Sequence, residues 1–301
     1  MARPVNAATA PQPGIGTPSA MAITTADGHR FELLAQLPVQ PQAALLWLPA
    51  LGVAARHYQP FAAALSAHGI AVFVHEWRGN GSSNLRAGKQ QDWGYRELLQ
   101  FDLPAAQAAL QSALPGIIPR IGGHSLGGQL ACCHAALHPQ DFDALWLVAS
   151  GTPWWRGFPA PLRWLLPLAY RLLPWLARRC GALPGRKLGF GGNEARGLIH
   201  DWAKVGVHGR YAAAGLDDDL EAALHALRLP VTAVLLDADW LAPVGSMQHL
   251  LGKMPAASNH LQLLSGEKIG TRADHFSWMK SPSAVVDALC GKNVQKFSQK
   301  R

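Results

Sequence analysis

Short apolar runs alternate with amphipathic stretches over most of the chain. Many of the apolar runs are continuous, as in strands that are buried on both faces of a sheet. The predicted strands cover residues 21–25, 30–37, 43–48, 70–74, 117–121, 144–149, 231–236 and 260–264. The predicted helices cover residues 57–68, 95–113, 126–138, 243–251 and 282–290. Strands and helices in regular alternation favour an α/β fold with a mostly parallel central sheet flanked by helices.

This alternation stops between residues 151 and 229. Five tryptophans and many prolines fall there, namely Trp154, Trp155, Trp164, Trp175 and Trp202 with Pro153, Pro159, Pro161, Pro167, Pro174 and Pro184. We interpret the segment as an inserted helical cap over the functional edge of the sheet. The basic, tryptophan-rich stretch 154–179 fits cap core and pocket lining, and contact with a lipid interface is the alternative.

The resulting layout has five parts. A flexible leader (1–20) precedes the first part of the core (21–150), the cap (151–229), the second part of the core (230–290) and a basic tail (291–301). At 301 residues, with 49% hydrophobic and 15% charged residues, the chain can bury one large core. The two N-terminal strands are expected to meet at an Asp-Gly turn over residues 26–29.

Charge and cysteine usage limit the functional classes. The net charge of +8 is not organised into a nucleic-acid-reading motif, so we predict no nucleic-acid partner. No apolar run reaches the roughly 18 uncharged residues of a membrane-spanning helix. The four cysteines have no Cys-x-x-Cys spacing, which favours a reducing compartment and a cytoplasmic location. The oligomeric state is left open.

The candidate nucleophile is Ser125, in the pattern Gly123-x-Ser125-x-Gly127. The pattern lies between an apolar strand and a helical stretch. A serine in such a sharp strand-to-helix turn projects its hydroxyl above the sheet. This arrangement is typical of nucleophilic attack on a carbonyl carbon.

A serine nucleophile requires a base, and the base requires an orienting acid further along the chain. For the acid we favour Asp239 over Asp237, because Asp239 lies farther beyond its strand, in a loop that closes at Pro243. For the base we favour His275, which lies in the loop after the last strand. Its rival, His260, begins that strand.

Two backbone N–H groups are expected to stabilise the oxyanion. One belongs to Leu126, directly after the serine. The other should come from the loop after strand 43–48, where Pro49 has no N–H group. Leu51 is our first choice there and Ala50 the second.

From about residue 21 to 290 the chain resembles the α/β-hydrolases, and more narrowly the bacterial hydrolases near the serine aminopeptidase and monoglyceride-lipase-like branch. The matching residues are Leu51-Gly52, the run from Glu76 to Ser83, the run from Gly123 to Gly128, Asp239 with Pro243, and the run from Asp274 to Phe276. Relatives commonly have His-Gly where this chain has Pro49-Ala50, and Asp where it has Glu76. The Glu76 to Ser83 run is expected to be a structural turn.

Together these patterns predict a carboxylesterase-like serine hydrolase that acts on a small ester or thioester with a hydrophobic moiety. Acyl transfer, or amidase or aminopeptidase activity, is the alternative within enzymes. A catalytically silent, ligand-binding scaffold is the alternative outside them. No organic cofactor and no metal is expected, since the His134 and His138 pair has no third ligand cluster.

Overall fold

The computed structural model describes residues 16–291. Most of the predicted leader and nearly all of the predicted tail lie outside the described residues, although Ser19 and Ala20 already belong to the first strand. The main strands are β1 (Ser19–Thr24), β2 (Arg30–Gln36), β3 (Ala43–Leu48), β4 (Ile70–Val74), β5 (Arg120–His124) and β6 (Leu145–Val148), followed later in the chain by β9 (Val231–Leu236) and β10 (Asn259–Leu264).

These eight strands form one sheet in the order β1-β2-β4-β3-β5-β6-β9-β10. Pairing is antiparallel for β1 with β2 and for β2 with β4, and parallel for all other neighbours. The predicted α/β fold is therefore confirmed. The carboxyl ends of β5, β6 and β9 lie at the same edge, where residues that follow these strands can meet.

Helices cover both faces of the sheet. Those of the core are α1 (Gln59–Ser66), α2 (Tyr95–Glu97), α3 (Leu103–Ala113), α4 (Leu126–Leu137), α9 (Val244–Gly252), α10 (Gly266–Ile269) and α11 (Ser283–Leu289). Strand β3 illustrates the burial on both sides. Leu46 and Leu48 belong to one apolar cluster, while Leu45 and Trp47 belong to the other, because successive side chains of a strand point to opposite faces.

Two predicted elements differ from the structure. The helix expected over 95–113 is interrupted by a π-helical turn, Leu98–Asp102, because Pro104 has no N–H group to continue the regular pattern. The strand expected over 117–121 instead spans Arg120–His124. The run at Ile117-Ile118 suggested a strand, but Ile118 is 59% exposed and Pro119 lacks a backbone donor.

The segment between β6 and β9, which we call the β6–β9 insertion (residues 149–230), forms its own layer of elements. It contains α5 (Leu162–Cys180), the short strands β7 (Leu183–Pro184) and β8 (Asn193–Glu194), and the helices α6 (Gly185–Leu188), α7 (Arg196–His208) and α8 (Leu220–Ala226). Helix α5 packs against α7. Over residues 16–291, no helix is both long enough and apolar enough to traverse a bilayer.

Candidate active site

Ser125 occupies the turn between β5 and α4. Its φ of 56° lies in the left-handed region, which non-glycine residues adopt rarely. The flanking glycines permit this turn, because a Cβ on Gly123 would overlap the backbone of Gly127, and a Cβ on Gly127 would overlap the carbonyl oxygen of Leu48. The Gly-x-Ser-x-Gly pattern is thus required by close approach of backbone to backbone.

His275 and Asp239 are in direct contact. The ring nitrogen Nδ1 of His275 lies 2.7 Å from Oδ2 of Asp239, and both residues are buried. The other carboxylate oxygen, Oδ1, accepts the backbone N–H groups of Leu241 (2.8 Å) and Ala242 (3.2 Å). The carboxylate is therefore fixed by its own loop. It holds a proton on Nδ1 and leaves Nε2 as the basic nitrogen of the ring.

Asp237 and His260, the alternatives for the acid and the base, lie in different surroundings from Asp239 and His275. Asp237 is exposed, directly after β9. His260 lies at the amino end of β10, opposite Thr232, and so at the other edge of the sheet from the residues that follow the carboxyl ends. Ser125, Asp239 and His275 all lie at that carboxyl edge. Ser125 and His275 line one cavity.

The loop after β3 has one remaining candidate for the second oxyanion donor. The Ala50 N–H donates to the Tyr58 hydroxyl at 2.9 Å, so it is already engaged. The Pro49 carbonyl accepts the indole N–H of Trp77 at 2.8 Å. Leu51 lines the cavity together with Leu126. The geometry therefore disfavours Ala50 as the second oxyanion donor and leaves Leu51 as the candidate.

Sequence reasoning missed Tyr58 and Trp77 as supports of this loop. The Tyr58 hydroxyl also lies 2.8 Å from Nδ1 of His124, the residue before the candidate nucleophile. Burial, reinforced by the proximity of His275, holds the pKa of His124 well below its usual range, so its imidazole is neutral and can accept this bond. A buried tyrosine hydroxyl usually has a hydrogen-bond partner. That rule predicts a partner but cannot identify it from sequence.

The run from Glu76 to Ser83, after β4, contacts the segment that follows the β3 loop. Oε1 of Glu76 accepts the backbone N–H of Ala55 at 3.1 Å. The Arg78 guanidinium makes two bonds to Asp102, at 2.8 and 2.7 Å. Gly52 of the loop lies so close to the β6–β9 insertion that a Cβ on Gly52 would overlap the backbone of Gly192. The loop is held between the core and the insertion.

The cavity at this edge has a volume of about 340 Å³. Among the described residues that line it, none is an Asp, Glu, Lys or Arg. Its walls come from the serine turn, the β3 loop, the loops after β6 and β9, and the insertion. The main apolar contributors are Leu51, Leu126, Phe158, Leu162, Leu166, Ala169, Leu173, Leu188, Phe190, Trp202, Trp240, Leu241 and Phe276.

The tryptophans of the stretch 154–179 are not among the residues that line this cavity. Trp154 stacks on His249, with ring centroids 4.2 Å apart, and Trp155 packs near Trp164. The pocket-lining interpretation is therefore wrong for these tryptophans. The stretch contributes Phe158 to the cavity and, because one face of α5 points inward, aliphatic side chains and Tyr170.

A second serine–histidine–aspartate set lies elsewhere in the core. Nε2 of His29 is 2.9 Å from the Ser83 hydroxyl, and Nδ1 is 3.0 Å from Oδ1 of Asp102. All three residues are buried, and Asp102 also binds Arg78. The Ser83 oxygen in addition accepts the backbone N–H groups of Gly79 and Leu85, both at 3.2 Å. No sequence motif pointed to this set.

Comparisons with known proteins agree with the architecture. The model of the family described as serine aminopeptidase, S33, matches residues 39–267. No curated protein matches the chain.

Solved structures share the fold at low sequence identity. A thermophilic esterase from Thermogutta terrifontis is 17% identical, with a TM-score of 0.61 over 91% of this chain and 97% of that one. A Paleococcus ferrophilus monoacylglycerol lipase is 14% identical, with a TM-score of 0.58 over 92% and 100%. A Pseudomonas aeruginosa hydrolase is 18% identical, with a TM-score of 0.62 over 90% and 97%. With the family model covering most of the chain, this protein belongs to the serine aminopeptidase S33 family of α/β-hydrolases.

Proposed function

We propose that this hydrolase is a serine esterase that cleaves esters or thioesters with an uncharged, apolar acyl or alcohol part. The observation that carries the proposal is the arrangement at one cavity of a strained serine, a histidine bonded to a buried aspartate, and apolar walls. The β6–β9 insertion serves as the cap over this cavity.

In the first half of the reaction, the Oγ of Ser125 attacks the substrate carbonyl carbon while Nε2 of His275 takes its proton. Asp239 keeps Nδ1 protonated and stabilises the resulting imidazolium. The N–H groups of Leu126 and Leu51 donate to the tetrahedral oxyanion. When the tetrahedral species collapses, the bond to the leaving alcohol or thiol breaks, and that group departs with the proton from His275.

In the second half, His275 takes a proton from water, whose oxygen attacks the acyl group on Ser125. The bond to Oγ then breaks, the acid leaves, and Ser125 regains its proton from His275. No step calls on a group beyond these side chains, the two backbone N–H groups and water.

The composition of the cavity favours an ester over a peptide with a free amino terminus. An aminopeptidase must hold an ammonium group, and burying one without a carboxylate partner is costly. None of the described residues that line the cavity supplies such a carboxylate. Hydrolysis is distinguished from acyl transfer by adding a competing alcohol or amine and measuring the ratio of acid to transferred product.

The decisive experiment is the replacement Ser125→Ala. The wild-type protein should hydrolyse p-nitrophenyl butyrate and should be labelled covalently by a fluorophosphonate probe. The variant should lose the label and about 10⁶-fold in kcat, because the nucleophile is gone. Ser150→Ala is the matched control: its hydroxyl donates to the Ser125 carbonyl oxygen, so it removes a neighbouring hydroxyl but no nucleophile.

Two outcomes would count against the proposal. Label that persists on the Ser125→Ala variant would place the nucleophile elsewhere. A folded wild-type protein that neither reacts with the probe nor turns over esters would favour a silent scaffold that binds an apolar ligand.

A further inference from the structure

Helix α5 of the insertion has two separate apolar faces. Successive residues of an α-helix lie about 100° apart around the axis. By this geometry Leu162, Leu166, Ala169 and Leu173 share one face, and all four line the cavity. A second set falls within an arc of about 100°, centred about 120° around the axis from the first. This outer face of α5 consists of Trp164, Leu165, Leu168, Leu172 and Trp175.

The outer face is open to solvent. Each of its five large side chains is between 51% and 66% exposed. A surface helix of a soluble protein normally presents polar residues on this side. Within residues 16–291 no element buries these side chains. An apolar area of this kind, on a long helix, is typical of a surface that contacts a partner.

The surrounding charge indicates what kind of partner. Residues 144–193 contain seven cationic side chains and no aspartate or glutamate, in a chain whose net charge is +8. They are Arg156, Arg163, Arg171, Arg178, Arg179, Arg186 and Lys187. Among the described residues, none of these seven cations forms an ion pair with an aspartate or glutamate. Much of the positive charge of the protein therefore lies in and around α5, and it is not taken up in ion pairs of the described residues.

The arginines flank the apolar side chains on the same helix. Arg171 and Arg178 lie at one border of the outer face by the same 100° geometry, and Arg179 lies within its arc; all three are exposed. Such a helix combines tryptophan and leucine, which partition into an acyl boundary, with guanidinium groups that bind phosphate.

We propose that the outer face of α5 docks on the surface of an anionic lipid bilayer. The tryptophan and leucine side chains insert among the acyl chains, and the arginines pair with lipid phosphates. A second copy of the chain is a poor occupant, because a symmetric contact through this face would bring like charges together. The inference goes beyond esterase activity, since docking requires no chemistry at Ser125.

Exposed apolar side chains also lie at the mouth of the cavity. Leu188, Trp240 and Phe276 line the cavity and are nevertheless 49%, 63% and 47% exposed. The rim is therefore apolar as well.

Vesicle flotation tests the docking directly. The full chain is mixed with vesicles of phosphatidylcholine alone, or with vesicles in which roughly a third of the lipid is phosphatidylglycerol. We expect flotation with the anionic vesicles, at least about tenfold weaker partitioning onto the neutral ones, and release at high salt because the phosphate contacts are screened. The Ser125→Ala variant should float like the wild type, which separates this proposal from the catalytic one.

Matched variants assign the binding to the outer face. The triple variant W164S/L168S/W175S should lose at least about tenfold in partitioning, and R171Q/R178Q/R179Q should lose the preference for anionic vesicles. The controls are V39S/I118S, which removes exposed apolar side chains elsewhere, and R210Q/R228Q/K268Q, which removes exposed cations elsewhere. Hydrolysis of a soluble ester by each variant reports that the protein is folded.

The proposal fails if the wild type does not float with anionic vesicles, or if both triple variants float as well as their controls. It also fails if light scattering shows a wild-type dimer that W164S/L168S/W175S converts to a monomer, since the face would then be an interface between copies.

Discussion

The described residues include two serine–histidine–aspartate sets that share a short contact between histidine and aspartate. In the edge set, Nδ1 of His275 lies 2.7 Å from Asp239, and in the interior set Nδ1 of His29 lies 3.0 Å from Asp102. The interior set even has the closer link to its serine, with 2.9 Å between His29 and the Ser83 hydroxyl. A search for these three residue types linked by hydrogen bonds would therefore select the interior set, because the described residues show no hydrogen bond between Ser125 and His275.

The two sets differ in the partners of the carboxylate and in the space around the serine. The carboxylate of Asp102 is shared with the guanidinium of Arg78, and Ser83 is buried and saturated with backbone donors. Ser125 instead lines a cavity of about 340 Å³, on a strained turn beside the backbone of Leu126. Free space for a substrate, and donors not yet engaged, distinguish a candidate site from a buried polar network. The interior set is expected to stabilise the fold, and the edge set to carry the reaction.

After Ser125→Ala, the largest expected effect comes from Asp239→Asn. Asparagine would favour the wrong tautomer of His275 and would not stabilise an imidazolium, so kcat/KM for p-nitrophenyl butyrate should fall by about 10⁴-fold while the melting temperature changes little. Asp237→Asn is the control, since Asp237 is exposed and lies two residues away. A loss below tenfold for Asp239→Asn would remove Asp239 from the mechanism.

The converse experiment is Asp102→Asn in the interior set. Among the described residues, this substitution leaves Asp27, at 2.8 Å, as the carboxylate partner of the buried Arg78 guanidinium. Removing one partner of a buried ion pair lowers the free energy of unfolding by about 3–5 kcal/mol. Urea denaturation should show this loss, while kcat/KM of the folded fraction stays near the wild-type value.

Asp143→Asn provides the matched control for that measurement. Its pair with Arg120 spans 3.8 Å and its side chain is 46% exposed, so the change should be less than about 1 kcal/mol. If Asp102→Asn instead kept full stability and abolished turnover, the division between a structural and a reactive set would be wrong.

The smallest expected effect concerns the cavity, which the interior set lacks. Leu173→Trp places a larger side chain in the cavity wall, whereas Leu172→Trp places it on the outer face of the same helix. The first should lower kcat/KM for the octanoate ester relative to the acetate ester by at least about tenfold, because a long acyl chain no longer fits. The second should leave that ratio unchanged in the absence of lipid. Equal ratios for both variants would mean that the acyl group does not bind beneath α5.

Much of the core was predictable because its signals are local. Continuous apolar runs located β3, β4 and β9, and the glycines around Ser125 marked a turn that no larger residue could make. The misplaced strand at 117–121 shows the limit of such signals, since an apolar pair next to a proline can lie on the surface. The π-helical turn at Leu98–Asp102 left only Pro104 as a signal in the sequence, and a proline shows that regular helical bonding stops without showing how the backbone rearranges.

The sequence by itself determined the α/β architecture, the serine turn, and the order in which the candidate acid and base follow it, since each depends on residue type and spacing along the chain. The tertiary structure brought Asp239, and not Asp237, into contact with His275, and it engaged the N–H of Ala50 with the Tyr58 hydroxyl. It also decided that the stretch 154–179 turns its tryptophans away from the cavity and two of them outward. Those choices depend on which residues from distant parts of the chain become neighbours. A periodic pattern shows that a helix has two apolar faces, but only packing shows which of them is buried.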